Sequence, residues 1–270
     1  MPDTTPRYWR AEVRAITAPT PRTRRVTFGG ADFAHFPDVG PDQYFKLFFP
    51  LPGQAEPDLP PPPADGDVRG WYLTYLGMPD DVRPPMRTFT VRHRHPDAID
   101  VDFVVHASGA AQDWLRTAEV GHRVTLLGAN ALYRPTPAPW QLLVGDETAV
   151  PAIGVILETL APGARATVIA HASGEAEEHS WKTDGDVDIT WVRSVADLLP
   201  ALRAATLAPE PPYAWLAGEA SVVRDLRRHL LRDRGYPKSD ITFTGYWREG
   251  KSEEQASREA IANPRRDDDD

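Results

Sequence analysis

The 270-residue chain has no cysteine, which excludes disulfides, iron–sulfur clusters and thiolate zinc sites. Long apolar runs are missing too: stretches such as Trp140–Val144 fall far short of the roughly 20 residues a membrane span needs. Positive charge is the minority, 30 Lys+Arg against 39 Asp+Glu for a net −9. That argues against a protein that coats nucleic acid, while leaving room for a local basic pocket. Met1–Pro6 carries neither the basic nor the apolar region of a secretory leader. The expectation is a cytoplasmic monomer with no membrane insertion and no nucleic-acid partner. What is present is 41% apolar and 9% aromatic residues, enough for a packed core in one or two domains.

The first half alternates with period two. In Ile99–Val105 the acids Asp100 and Asp102 point one way and Val101, Phe103 and Val105 the other, as in a half-buried antiparallel strand. Trp9–Ile16, Arg24–Phe28, Tyr44–Phe49, Arg87–Val91 and Arg123–Leu127 read alike. About six such strands before residue 130 predict an antiparallel barrel, with one helix over Ala110–Ala118. The stretch from Leu51 to Pro85, containing Pro60-Pro61-Pro62-Pro63, reads as a stiff surface excursion because proline fixes φ and cannot donate to a ladder. After Arg134-Pro135-Thr136-Pro137-Ala138-Pro139 the pattern becomes strand, helix, strand. Strands are predicted at Trp140–Val144, Ala166–Ala170, Asp188–Val192, Tyr213–Ala217 and Ile241–Gly245. Helices fall at Glu147–Leu160, Val195–Ala205 and Glu219–Arg234, then a short polar one at Ser252–Ile261. Apolar strands interleaved with helices predict a parallel sheet covered on both faces. The fold class is thus a six-stranded antiparallel barrel over 7–135, then an α/β nucleotide-binding domain over 140–262. The charged tail Asn263–Asp270 is expected to be disordered.

Two stretches of the first half can carry chemistry. On the strand Arg87-Thr88-Phe89-Thr90-Val91-Arg92, guanidiniums and hydroxyls flank an aromatic ring, a set suited to a flat phosphorylated ligand. The same pattern also fits an ordinary strand with solvated arginines. In His106-Ala107-Ser108-Gly109-Ala110-Ala111-Gln112-Asp113-Trp114, small residues lead from strand to helix. The helix start could receive a pyrophosphate, or Ser108 could simply cap it. Gly145-Asp146-Glu147-Thr148 follows the first parallel strand, where such sheets bind nucleotides. It is no Gly-x-Gly-x-x-Gly, and its acids could equally be a structural cap. His93 and His95 share a strand face without a third ligand, so no metal site is expected. No Ser-His-Asp, HExxH or P-loop pattern occurs.

In this order and spacing, the Arg-x-aromatic-Thr-x-Arg strand and the Ser-Gly-Ala helix start resemble the siderophore-interacting protein family, FAD-containing ferric-siderophore reductases distantly related to ferredoxin-reductase-like flavoenzymes. Phe45-Lys46-Leu47-Phe48-Phe49-Pro50, Gly145-Asp146-Glu147-Thr148-Ala149-Val150-Pro151-Ala152-Ile153, Trp215-Leu216-Ala217-Gly218-Glu219 and Gly245-Tyr246-Trp247-Arg248-Glu249-Gly250 are similar to further stretches of that family. The resemblance runs from about Arg7 to Ser252. It implies that Arg87, Thr88, Phe89 and Thr90 hold the flavin, with Phe89 against the ring and Thr90 near its edge. His106, Ser108, Gly109, Ala110 and Ala111, with Trp114 behind them, would line the FAD phosphates. Asp146, Glu147 and Thr148 would lie near the hydride path as the catalytic set. Lys46 and Arg248 or Lys251, with Arg134 as a third candidate, would attract an anionic ferric siderophore, and Trp247 would be a packing residue. Phe89 departs from the family's more frequent tyrosine, and Gly128-Ala129-Asn130 from its Gly-Pro turn.

The activity so implied is a relay from a nicotinamide through FAD to chelated Fe(III), with iron as substrate. A nicotinamide gives two electrons and iron takes one, which is why a flavin stands between them. No basic side chain follows the second parallel strand before Lys182, so NADH is favoured over NADPH, and reduced ferredoxin is an alternative donor. Rival readings are a flavin reductase or oxygenase-partner electron donor, and a non-enzymatic siderophore-binding protein.

Overall fold

The computed structural model describes residues 7–62 and 66–262. The expectations for Met1–Pro6, for Pro63 and for Asn263–Asp270 lie outside them. The chain divides into two compact units, 1–131 and 132–270.

The first unit is one antiparallel sheet of seven strands rather than six: β1 (Tyr8–Thr20), β2 (Thr23–Gly29), β3 (Tyr44–Phe48), β4 (Met86–Thr90), β5 (His93–His95), β6 (Ala98–Val104) and β7 (Arg123–Asn130). Their order is β4-β3-β7-β1-β2-β6-β5. The two edge strands, β4 and β5, are separated in sequence by Val91 and Arg92 alone. Val91 N–H donates to the Gln43 carbonyl at 2.8 Å, beside β3, and Arg92 N–H to the Asp100 carbonyl of β6 at 2.8 Å. Consecutive residues thus pair with opposite edges, and the sheet closes as a barrel, removing the exposed edges that a flat sheet would leave. Its interior is filled by alternating apolar residues of the strands, among them Phe28, Phe45, Leu47, Phe103 and Leu126, together with Phe49 just past β3 and Trp114 from the short helix after β6. Each contributes about 1.5–3 kcal/mol of burial.

Between β3 and β4 the structure corrects the sequence expectation. The proline-rich excursion contains a helix, α1 (Val68–Gly77), capped where the Asp67 carboxylate accepts the Gly70 N–H at 2.8 Å. Trp71, Tyr75 and Leu76 recur at helical spacing and bury themselves against Phe48, Met86 and Leu127. The extra strand β5 holds His93 and His95, which stand 3.2 and 3.1 Å from Asp100 Oδ2, while Thr27 Oγ1 donates to Oδ1 at 2.7 Å. Burial pushes the Asp100 carboxyl up, but the bonds from His93, Thr27 and His95 outweigh it and hold it well below the usual carboxylate range. A carboxyl depressed in the folded state stabilises above its ordinary pKa and loses that contribution as pH falls. Between about pH 5 and pH 3 the melting temperature is therefore expected to fall more steeply in the native chain than in Asp100→Asn, as thermal melts across that range would show.

The second unit holds β8 (Gln141–Gly145), β9 (Arg165–His171), β10 (Asp186–Val192), β11 (Tyr213–Glu219) and β12 (Ile241–Trp247), all parallel, in the order β10-β9-β8-β11-β12. The central strands feed two layers. Leu143, Val168 and Trp215 face α3 (Val150–Glu158). Leu142, Val144, Ile169 and Leu216 face α4 (Leu198–Ala204) and α5 (Ala220–Arg228). The two edge strands depart from the fully apolar expectation: β10 buries only Val192 and β12 only Ile241. A last helix, α6 (Glu253–Ala262), follows.

Candidate functional site

In the first unit, the residues expected to hold a flavin lie on β4 and at the start of α2 (Ala110–Leu115). Phe89 is half-buried, its ring centroid 4.3 Å from that of Phe103 in the barrel interior. The Arg87 guanidinium donates to the Met86 carbonyl, and Thr90 is buried. Thr88 points to the other side of the strand, where it accepts from Lys46 Nζ at 2.7 Å. This bond follows from register, since Lys46 and Thr88 are direct partners across β3 and β4. A residue expected to meet the substrate and one expected to meet the cofactor are thereby brought together.

The helix start differs from the simplest expectation. Ser108 is not the cap. The N-cap is Gly109, at φ +119°, with no side-chain bond to the helix, and the helix ends at Leu115 rather than Ala118. His106, Ser108 and Gly109 are exposed and Ala110 and Ala111 half-buried. A glycine is required by the positive φ, and no side chain crowds the turn at that point. Arg116 fixes the loop by donating to the Ala107 carbonyl at 2.5 Å and to Asp113 at 2.6 Å. Trp114 lies in the barrel core beside Phe28, Phe49 and Phe103, and its indole N–H is buried without a hydrogen-bond partner. A phosphate-bearing flavin fits this set. There is a ring face backed by the core, a guanidinium on the same face of β4, and a helix start whose N–H groups no side chain has claimed.

In the second unit, Gly145-Asp146-Glu147-Thr148 ends β8 and α3 begins only at Val150. β8 and β11 are neighbours although β9 and β10 intervene in sequence, so their carboxyl ends form the topological switch point of the sheet. Asp146 stands there, 1% exposed. Its Oδ1 accepts from Thr148 N at 2.9 Å and Thr148 Oγ1 at 2.6 Å. Its Oδ2 accepts from Glu219 N at 2.7 Å and Trp247 Nε1 at 2.8 Å. A carboxylate has about four acceptor sites, and all four are taken. Gly218, at φ +140°, completes the fit, because a Cβ there would lie 2.5 Å from Asp146 Oδ2. Three motifs far apart in sequence are thus tied to one side chain. Trp247, expected as a packing residue, is 41% exposed and acts as a donor. Trp247→Phe is expected to cost about 1–2 kcal/mol by leaving Oδ2 short of a donor, read as a drop in thermal stability.

Glu219 ends β11 and caps α5, its Oε2 accepting from Ser221 N and Val222 N. Burial pushes its carboxyl up, but hydrogen bonds from Ser221, Val222 and Glu249 outweigh this and hold it below the usual range. The basic candidates are more dispersed. Arg134 is exposed and donates to the Tyr133 carbonyl at 2.8 Å. Arg248 and Lys251 form an isolated bridge, and both approach Glu259 of α6, Arg248 at 3.7 Å and Lys251 in direct hydrogen bond. Glu259 was missed by the sequence reading, though an acid one helical stretch beyond a basic motif was the signal. Arg193 was missed as well. It directly follows β10 and reaches the loop after β9, donating to Ala172 O at 3.4 Å and Glu178 at 2.5 Å. The absence of a base before Lys182 therefore does not describe that loop in space.

The fold is shared with the structure of a ferredoxin reductase in carbazole 1,9a-dioxygenase, which superposes with a TM-score of 0.64 at 18% identity, covering 90% of this chain and 68% of that one. Residues 12–132 match the family model of the siderophore-interacting FAD-binding domain and residues 138–250 that of the siderophore-interacting protein, and the chain belongs to that family. It is 34% identical over 264 residues to the uncharacterized protein Rv2895c of Mycobacterium tuberculosis, covering 90% of this chain and 91% of the relative. It is 30% identical over 244 residues to the ferric vibriobactin reductase ViuB of Vibrio cholerae, covering 85% of each. A crystal structure of a siderophore utilization protein from T. fusca superposes with a TM-score of 0.76 at 29% identity, covering 92% of this chain and 95% of that one. Among the described residues no helix is long and apolar enough to cross a membrane.

Proposed function

We propose that the chain reduces ferric siderophores with FAD as its bound cofactor and a nicotinamide or reduced ferredoxin as electron source. The observation that carries this reading is the Lys46–Thr88 bond of 2.7 Å. It sets a positive charge for an anionic chelate in the same strand pair as the residues suited to the flavin. Siderophores bind Fe(III) through hard oxygen donors and hold Fe(II) far less strongly, so one-electron reduction loosens the metal. Bound FAD supplies the exchange between two-electron and one-electron chemistry.

The residues have distinct roles in this reading. Arg87 binds phosphate and Phe89 orients the ring, backed by Phe103. The start of α2 receives the pyrophosphate between His106 and Ala111. Lys46 draws the chelate in. Asp146 is a positioning residue, its acceptor sites spent on holding the ends of β8, β11 and β12, while Glu147 and Thr148 border the nicotinamide. Arg193, held by Glu178 beside the loop after β9, gives an adenosine phosphate a cationic partner, so NADPH enters on equal terms with NADH. The reading includes a cytoplasmic monomer, to be checked by cell fractionation and size exclusion.

The test is to load the purified chain with FAD and titrate it anaerobically with NADH, NADPH and reduced ferredoxin. Ferric siderophore and free flavin are then offered as acceptors, with Fe(II) trapped by a coloured chelator. Trapped Fe(II) in excess of the free-flavin rate is expected. A protein that takes up no FAD overturns the reading. Faster reduction of free flavin makes it a flavin reductase, and siderophore binding without reduction makes it a carrier.

Glu259 adds a prediction about the substrate. The Lys251 hydrogen bond outweighs desolvation and holds its carboxyl below the usual range, so it stays anionic beside Arg248 and Lys251. Glu259→Gln removes that competing charge. KM for an anionic ferric chelate is expected to fall about two- to fivefold at low salt, and the gain to vanish in high salt. An unchanged KM at low salt would show that these two bases do not meet the substrate.

A further inference from the structure

We propose that a groove between α5 and β12 binds a small organic anion, a phosphate or carboxylate carried on a flat ring. The groove encloses about 410 Å³ and is lined by Arg224, Arg227, Phe243 and Arg248, with Glu219 and Val223 among its other walls. Arg227 is the informative residue. It is 5% exposed, yet its Nε has no hydrogen-bond partner, and among the described residues no carboxylate pairs with it. Its guanidinium lies 4.3 Å over the ring of Phe243. A ring face attracts a cation but supplies neither a counter-charge nor an acceptor in the guanidinium plane. A buried charge left in that state is costly unless something pairs with it.

The surroundings point the same way. Arg224 and Arg248 have their acidic neighbours, Asp225 and Glu259, at 3.7 Å each, beyond hydrogen-bond length. Glu219 is the one acid in the lining, and its carboxylate is occupied by Ser221, Val222 and Glu249. Among the lining residues, three guanidiniums stand against one committed carboxylate, a positive balance. Arginine forks match phosphate and carboxylate oxygens. Phe243 is 45% exposed and, with Val223, offers an apolar wall on which a ring can lie. The groove is formed wholly by the second unit. It shares Arg248 with the basic pair offered above to the ferric chelate, but Arg224, Arg227 and Phe243 have no part in the reductase reading, so variants at Arg227 and Arg224 test the groove apart from it.

Calorimetric titration of the full-length, FAD-loaded protein with phenyl phosphate, benzoate, inorganic phosphate and phenol tests the site. Phenyl phosphate and benzoate are expected to bind, their order telling which anion the groove prefers. Inorganic phosphate should bind more weakly for lack of a ring, and phenol not at all. Arg227→Met keeps an apolar stem over Phe243 and removes the charge, and is expected to weaken binding about tenfold to a hundredfold. Should that variant not fold, Arg224→Gln at a more exposed position is expected to weaken it about fivefold. Absence of binding by both aromatic anions, phenol binding as well as they do, or affinities unchanged in the folded variant overturns the proposal.

Discussion

Asp146→Ala is expected to destabilise the protein by about 3–5 kcal/mol, lowering its melting temperature by roughly 10–15 °C. The change removes one buried carboxylate and strands four donors at once: the N–H and hydroxyl of Thr148, the N–H of Glu219 and the indole of Trp247. Water has little access to replace it, since Asp146 is almost wholly buried. The isosteric Asp146→Asn is the sharper test. An amide keeps one acceptor oxygen and turns its NH₂ toward donors whichever way it is placed, so at least one pair of N–H or O–H groups faces another donor. A positioning residue therefore predicts a melting temperature for Asp146→Asn well below the native one, with any loss of turnover following the loss of structure. Had the carboxylate instead served as a proton-handling group, the asparagine variant would melt normally and be slow. Thermal melts and turnover measured on the same two variants separate these outcomes.

The architecture was legible where side-chain polarity is periodic. Ile99–Val105 alternates because Val101 and Phe103 fill the barrel while Asp100 and Asp102 lie on the other face. That face is buried too rather than solvated, and Thr27 and Arg25 pair with the two acids there. The central parallel strands read as apolar runs because helices cover both their faces. The helix α1 was hidden by its neighbours. The prolines around it bar strands and helix interiors only where they stand, and none falls within Val68–Gly77, where Trp71, Tyr75 and Leu76 carry the helical spacing. β5 was hidden for another reason: three residues are too few to show a period, and its partners lie on β6. At the candidate site, motifs singled out segments without showing what their side chains bond to. Gly145-Asp146-Glu147-Thr148 looks like acid chemistry in a list of residues. In three dimensions its aspartate is the point where β8, β11 and β12 are fastened, because hydrogen bonds between strand ends leave no trace in sequence spacing. Arg193 was invisible for the same reason, since it reaches back to Ala172 and Glu178 in another loop, whereas Glu259 lies only eight residues beyond Lys251, within range of a local reading.

Arg87→Ala is expected to weaken FAD binding about tenfold to a hundredfold, the loss of a charge-assisted contact to phosphate. It shares a face of β4 with Phe89, whose ring is already supported from behind by Phe103 at 4.3 Å. Arg87 also donates to the Met86 carbonyl, so its stem is oriented before a ligand arrives and little rotamer freedom remains to be lost on binding. Arg87→Lys keeps the charge without the fork and should fall between the native chain and the alanine variant. Lys46→Ala is the necessary partner. Its side chain leaves the other face of the strand pair, through Thr88, so flavin affinity should stay near native while KM for the ferric siderophore rises about fivefold, an effect that salt erases. Flavin fluorescence titration gives the first quantity and Fe(II) trapping the second. If Lys46→Ala loses flavin as readily as Arg87→Ala does, the strand pair has one function rather than two, and the positive charge on β3 serves the cofactor instead of the chelate.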